Sequence, residues 1–393
     1  MLAVAEPRPR QMKNGRDDRD DPKVTFIVPC YRLAHLLPEC VESILSQTYR
    51  DFELLIMDDC SPDPTPEVAR SFHDARVSHI RNEVNLGNIG NYNKGIGMAR
   101  GKYVWLISAD DRLRRPYALE RYVQLMEAHP EVGYVVCPGV RLENGQEGGV
   151  LQWSVRADRD TIFDGRQFAL DVIQRGGIVA ASSMVRKECY DKIGYFPAGM
   201  PHQGDMYLWL QWALRYDVGY FAEAMVDYRI HESSMMVSDR KTAPRTILND
   251  QLAVLWSALH TALELDHKPV ARACERSLRE RYVNCVVMQM YSDRVAPAPL
   301  TLQECQEHVH KNARDDAEAV RFIASIRAGV GDQAYWRADY PQALRLYGDV
   351  LRQRFWMPSL WLKYVLLRTG KVGIRLRDRS LAMRQAIRPA KPA

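Results

Sequence analysis

A chain of 393 residues holds material for about two or three domains and an ample core. Its 46% apolar and 26% charged content is that of an ordinary soluble globular protein, which excludes a wholly disordered or fibrous chain. The net charge of +5 is unevenly spread: from Lys363 onward nine Lys/Arg stand against Asp378 alone, a balance of +8 that leaves −3 for the remainder. Residues 1–21 are polar and lack the apolar segment of a secretory signal, so they read as a disordered leader. The most apolar run elsewhere, 355–367, is interrupted by Pro358 and Lys363 and is too short to span a bilayer. Cys30, Cys40, Cys60, Cys137, Cys189, Cys274, Cys285 and Cys305 show no CxxC or His-paired spacing, which points to reduced thiols in a cytosol and away from zinc.

From Lys23 the periodicity alternates between strand and helix. Residues 24–28 form a continuous apolar strand closed by Pro29, and Leu33, Leu36, Leu37, Cys40, Val41, Ile44 and Leu45 then recur at helical spacing. A second strand over 52–57 ends in Asp58-Asp59, and prolines punctuate the turn before a short helix near 67–72. A short strand follows at 77–80, then a Gly- and Asn-rich connection over 88–100. The run Tyr103 to Ile107 predicts a buried strand that breaks at once into Asp110-Asp111. A helix is predicted over 116–129 and a strand over 132–136. Asn144-Gly145 signals a tight turn, and the polar stretch to Asp164 reads as either a loop or a hairpin. Then come a helix over 165–175, a strand over 178–185, a helix opening at Gly204-Asp205, and one strand over 217–230. Repeated βαβ units predict an α/β fold with a mostly parallel sheet. From about Arg245 long helical patterns replace the strands, with Leu248, Leu252, Leu255, Leu259 and Leu263 about four residues apart. The expected organisation is an α/β domain over 22–240 and an all-α region with a basic tail over 245–393.

Three strand ends carry chemistry. Asp58-Asp59, Asp110-Asp111, and between them Asn85-Leu86-Gly87 with Asn91, Asn93 and Gly95 fall where open α/β sheets bind ligands, outside the carboxyl ends of the strands. A carboxylate there accepts a base N–H, Gly and Asn let backbone approach a ribose or pyrophosphate, and paired aspartates suit a hard divalent cation. Taken alone, Asp110-Asp111 fits equally well a strand-to-helix turn with Asp as cap. Taken together, the three ends describe a nucleotide site. The order GxGxxG of a dinucleotide fold and the GxxxxGK[ST] loop of a nucleoside triphosphatase are both missing from the sequence.

Val24-Thr25-Phe26-Ile27-Val28-Pro29-Cys30-Tyr31, Ser43-Ile44-Leu45-Ser46-Gln47-Thr48-Tyr49, Asp58-Asp59-Cys60-Ser61, Asn85-Leu86-Gly87 and Ser108-Ala109-Asp110-Asp111 resemble, as an ordered set over residues 23–238, the family-2 inverting glycosyltransferases of GT-A fold. The resemblance implies a nucleotide-sugar donor, a UDP-sugar first among them, with Mg2+ or Mn2+ on the diphosphate and direct displacement at the anomeric carbon by an activated hydroxyl. It implies a nucleotide pocket of Pro29, Tyr31, Asp59, Asn85, Gly87, Asn93 and Asp110, and a metal held by Asp110, Asp111 and His231. Ser108 stands where the family's DxD motif usually begins with Asp, which leaves open which of the two following carboxylates ligates. Asp205 is expected as the general base, at a helix N-terminus that also suits an N-cap. His231 in Tyr228-Arg229-Ile230-His231-Glu232-Ser233-Ser234 resembles the family's closing segment, and Ser182-Ser183-Met184 its acceptor-facing strand.

The expected role is polysaccharide or lipid-linked glycan assembly in the cytoplasm, with peripheral contact to the inner face of a membrane through the basic C-terminus. A sugar nucleotidylyltransferase is the alternative enzyme, but it calls for a Gly-rich loop where Pro29-Cys30-Tyr31-Arg32 stands. A non-catalytic scaffold leaves Asp205 unexplained. No basic groove interleaved with aromatics supports a nucleic-acid partner.

Overall fold

The computed structural model describes residues 21–143, 145–231, 243–291, 300–353 and 357–370. The expected leader up to residue 20, the basic tail from 371 on and residues 232–234 of the closing segment lie outside the described residues.

Seven consecutive buried residues form β1 (Val24–Cys30) and seven more form β2 (Phe52–Asp58), as befits strands covered on both faces. Between them α1 (Leu37–Leu45) buries Leu37, Cys40, Val41 and Ile44 at helical spacing. Next come α2 (Thr65–Arg70), β3 (Val77–Arg81), α3 (Gly87–Met98), β4 (Tyr103–Leu106), β5 (Arg112–Leu113), α4 (Ala118–Ala128) and β6 (Val132–Val136). They are followed by β7 (Gly139–Glu143), β8 (Gln146–Val150), β9 (Thr161–Phe163), α5 (Gly165–Arg175), β10 (Met184–Arg186), α6 (Lys187–Ile193), α7 (Gly204–Ala213), β11 (Asp217–Tyr220) and β12 (Val226–Ile230).

Eight of these strands make one sheet in the order β3-β2-β1-β4-β10-β6-β11-β9. β1 lies parallel to β2 and β4, β2 to β3, and β6 to β11, while β10 and β9 run antiparallel to their neighbours. The mostly parallel α/β sheet is therefore as expected. Its core stacks Phe26 on Trp105 at 5.4 Å and Trp105 on Tyr122 at 4.4 Å between ring centroids. A second sheet, β5-β12-β7-β8, stands beside the carboxyl end of β4.

Three local expectations change, and the open choice between loop and hairpin after Cys137 is decided. The Gly- and Asn-rich connection is a helix, α3, despite its poor propensity. A Cβ on Gly95 would come within 2.7 Å of Ile27, so glycine lets this helix lie directly on β1, and Asn91 anchors it by donating to Met57 O at 2.9 Å. The polar stretch after Cys137 is a hairpin of β7 and β8. The single strand expected over 217–230 is two strands in different sheets, because Glu223 between them turns out to meet Arg115 and Arg121. The strand expected over 178–185 keeps only its end. Ser182 N bonds Val179 O at 2.9 Å to close a turn that lets Trp105 Nε1 reach Ala181 O at 2.7 Å.

The helices beyond are α8 (Pro244–Glu264), α9 (Lys268–Tyr291), α10 (Leu302–Asn312), α11 (Asp316–Trp336), α12 (Tyr340–Gln353) and α13 (Pro358–Arg368). Two compact units divide between Cys274 and Glu275, within α9, so α8 belongs with the α/β unit and not with the helical region expected from residue 245. The reason is polar as well as apolar: Ser257 and Thr261 of α8 bond to buried Gln211 of α7. The second unit is closed by its own core of Ala334, Tyr335, Ala343, Tyr347, Val350 and Leu351, with Leu360 and Leu367 from α13. Among the described residues no helix is long and apolar enough to cross a membrane.

The small sheet is fastened by Asp227 of β12. This buried carboxylate accepts Arg112 Nε at 2.6 Å and also receives Arg114, joining β5 to β12. Replacing Asp227 by Ala leaves two partly buried guanidiniums short of their anion, and we expect a loss of roughly 3 kcal/mol. Urea unfolding should show a lower midpoint at unchanged slope; an unaltered midpoint would contradict this role.

Candidate active site

The loops after β1 and β2 are stitched to each other. Asp59 N donates to Cys30 O at 3.0 Å and Arg32 N to Ser61 Oγ at 2.7 Å, while Arg32 and Cys60 adopt left-handed backbone with φ of 59° and 56°. Within the first carboxylate pair the roles divide. Asp58 points into the protein and takes Arg81 Nη1 at 2.5 Å, His79 Nε2 at 3.2 Å and Ser61 N at 2.8 Å. Asp59 Oδ1 accepts Asn82 Nδ2 and Leu86 N, both at 2.8 Å. Asn82 continues the network by donating to Asn91 Oδ1 at 2.9 Å and accepting Lys94 Nζ at 2.7 Å.

Asp59, Asn85 and Gly87 are thus brought together. Asn85 Oδ1 accepts Gly87 N at 2.9 Å, and Gly87, with φ of +72°, makes the bend that opens α3. Tyr31 stands 40% exposed at the end of β1, and Pro29 O accepts Ala109 N at 3.2 Å, which ties the β1 loop to that of β4. Asn93 is placed otherwise than expected. Its amide donates to Phe196 O at 2.8 Å and accepts Phe196 N at 2.9 Å, so it clamps another loop instead of facing the Asp59 pocket.

The second carboxylate pair divides in the same way. Asp110 Oδ2 lies 3.0 Å from His231 Nε2, and its Oδ1 is buried with no hydrogen-bond partner. Burial pushes this carboxyl up, but the hydrogen bonds from His231 and Ser108 outweigh it and hold Asp110 below the usual range. Asp111 turns inward, 6% exposed, and accepts the backbone N–H of Arg229 at 2.9 Å. Burial and then the charge of Asp110 push it well above the usual range. Arg229 Nε also donates to Asp110 O at 2.8 Å, so β12 fixes both carboxylates and delivers His231 to the first. Among the described residues no group of three His, Cys, Asp or Glu side chains is placed to hold a metal by itself. The orphaned oxygen of Asp110 nevertheless fits a divalent cation that takes its remaining ligands from phosphate and water.

Asp205 lies in the first turn of α7, where Oδ1 accepts Met206 N at 2.7 Å. It faces a narrow pocket lined by Leu106, Ser183, Phe196, Trp209 and Trp212, and burial there raises its pKa to about 6. Sequence alone gave no hint of Tyr92. Its hydroxyl sits on α3 within reach of the charges of Asp110, Asp205 and Asp111, which together with burial push it up, and its ring packs on Phe196 at 5.4 Å. The asparagine-rich run from Asn82 to Asn93 was the available signal for this helix and its network.

A mostly parallel sheet with Asp59, Asp110 and Asp111 beyond the carboxyl ends of its strands has the GT-A architecture. Residues 25–194 match the family described as glycosyl transferase family 2. Asp205 and His231 fall beyond the matched segment. The chain is 37% identical over 107 residues to the succinoglycan biosynthesis protein ExoO of Rhizobium meliloti, covering 27% of this chain and 30% of that protein. It is 24% identical over 238 residues to an uncharacterized glycosyltransferase of Rickettsia typhi, covering 60% of this chain and 71% of that one. The solved structure of S. aureus TarS 1-349 with UDP-GlcNAc superposes with a TM-score of 0.58 at 18% identity, over 84% of this chain and 90% of that one.

A carboxyl with a pKa of about 6 is protonated below that pH and ionised above it. Carbon-13 NMR of the labelled aspartate carboxyls, with Asp205→Asn to assign the signal, should show Asp205 titrating about two units above an unperturbed aspartate. A midpoint near 4 would show that the pocket does not desolvate it.

Proposed function

We propose that this chain is an inverting glycosyltransferase that moves a sugar from a nucleoside-diphosphate donor to a hydroxyl acceptor. The observation that carries the reading is the loop after β4, where Asp110 Oδ2 lies 3.0 Å from His231 Nε2 and Asp110 Oδ1 is buried with no hydrogen-bond partner. Asp59 and the Asn82–Asn91 network hold the base, Tyr31 and Pro29 flank it, and the Asn85–Gly87 bend admits the ribose. Asp110 with His231 is the metal side, Asp111 serving to tie that loop to β12. Bound Mg2+ or Mn2+ would neutralise the diphosphate charge there. Asp205 takes the proton from the acceptor hydroxyl, whose oxygen bonds to the anomeric carbon as the bond to the diphosphate breaks on the opposite face, so configuration inverts. A pKa of about 6 leaves Asp205 ionised at neutral pH yet basic enough to accept that proton.

The UDP-GlcNAc of the TarS structure supports a UDP-sugar donor, and the succinoglycan role printed for ExoO supports polysaccharide or lipid-linked glycan assembly. The segment that aligns with ExoO is 30% of that protein, so the acceptor is carried by analogy of family. The basic C-terminus suits peripheral contact with an anionic membrane face.

Thermal unfolding with UDP tests the donor site. UDP with Mn2+ should raise the Tm of the wild-type chain by several degrees at a hundredfold excess over Kd, an effect of about 2.7 kcal/mol. Asp110→Ala, or chelator, should remove the metal-dependent part. An equal shift in the variant or in chelator would exclude Asp110 as the metal ligand.

A further inference from the structure

α8 lies along α7 through a single polar stripe. Asp250, Ser257 and Thr261 recur at intervals of seven and four residues, one face of a helix. Ser257 Oγ accepts Gln211 Nε2 at 3.1 Å, and Thr261 Oγ1 donates to Gln211 Oε1 at 2.9 Å. Asp250 Oδ2 accepts the backbone N–H of His202 at 2.9 Å, in the turn that leads into α7. Asp250 and Gln211 are each 3% exposed, so these groups satisfy one another in a nearly dry seam. A slip of α7 by one turn, about 5.4 Å, would break all of these bonds together. Apolar packing alone would not set that register so sharply.

The far side of the same turn is tied to α3. Asn88 Nδ2 donates to Pro201 O at 3.0 Å, and Asn93 clamps both backbone groups of Phe196. The chain from 196 to 203 is thus held at both ends, by α3 and by Asp250. Asp205 is the second residue of the helix that follows.

We infer that Asp250 is a positioning residue for Asp205. It fixes the turn at His202 and thereby the first turn of α7, setting where the Asp205 carboxylate stands relative to the Asp110 side of the cleft. The inference rests on the reading of Asp205 as the base. An aspartate suits the task because a carboxylate is a stronger acceptor for a backbone N–H than a neutral group, and because its charge lies near the positive end of α7. Without it the His202 N–H loses its acceptor and the turn is free to shift. A displacement on the order of 1 Å at the base costs about a hundredfold in rate.

The test uses the full chain as wild type, Asp250→Ala, Asp250→Asn and Thr261→Val, with Asp205→Asn alongside. Hydrogen exchange read by mass spectrometry should show peptides covering 197–206 exchanging at least about tenfold faster in Asp250→Ala, with β1 and β2 unchanged. UDP release from UDP-GlcNAc should fall about a hundredfold in kcat, with UDP affinity held within about twofold. Asp250→Asn keeps an acceptor oxygen and should recover most of both. Thr261→Val, which removes one bond of the seam at nearly constant shape, should shift both readouts in the same direction by less. Unchanged exchange in Asp250→Ala, or faster exchange with kcat intact, overturns the inference, and should Asp250→Ala not fold, an unaltered Thr261→Val does so. An inactive Asp205→Asn beside a fully active Asp250→Ala overturns this inference alone. A fully active Asp205→Asn overturns the assignment of the base and this inference with it.

Discussion

The candidate site depends on one buried carboxylate that takes no part in the chemistry. Asp227 gathers Arg112 and Arg114 and so fastens the short strand β5, which follows directly on Asp110 and Asp111, to β12, which ends at Ile230, one residue before His231. A loop bearing two adjacent aspartates would otherwise tend to splay, since neighbouring like charges repel in a low dielectric. Here the loop is bolted on both sides. Arg229 N holds the Asp111 carboxylate and Arg229 Nε the Asp110 carbonyl, while Glu39 on α1 receives Arg112 and Arg229. His231 then meets Asp110 as a consequence of strand pairing.

The two aspartate pairs solve the same problem in opposite order. Of each adjacent pair one carboxylate is taken up by the protein's own loop and the other is left, although Asp58 ends a strand while Asp110 and Asp111 lie in a turn closed by Asp111 N on Ser108 O at 2.9 Å. After β2 it is Asp58 that turns in, to Arg81 and His79, and Asp59 that remains for the cleft. After β4 it is Asp111 that turns in and Asp110 that keeps a buried oxygen without a partner. In each case the inward aspartate organises the loop that presents the outward one.

The parts legible in the sequence were those with local cause. Strands β1, β2 and β4 announce themselves as buried runs, the last two followed by paired carboxylates, and α1 and α4 by their apolar spacing. What was not legible has distant causes. α3 is a helix because Gly95 fits against Ile27 and Asn91 reaches Met57 O, neither of which a propensity scale records. The break between β11 and β12 follows from Glu223 meeting Arg115 and Arg121, about a hundred residues earlier in the chain. Asn93 looked like a ligand contact because it lies among other asparagines at a strand end, and only the position of Phe196 shows it to be a clamp. The same long-range logic draws α8 into the α/β unit: its leucine repeat reads like that of the helices after it, yet its polar stripe belongs to α7.

The central claim is that Asp205 accepts the proton of the acceptor hydroxyl and takes no part in holding the donor. Asp205→Asn preserves shape and the acceptor oxygen for Met206 N while removing basicity. Measured on the UDP-sugar that the wild type turns over, kcat should fall by roughly two to four orders of magnitude, with UDP affinity by calorimetry within about twofold of wild type. Retained turnover, or loss of UDP binding with the substitution, would contradict the account.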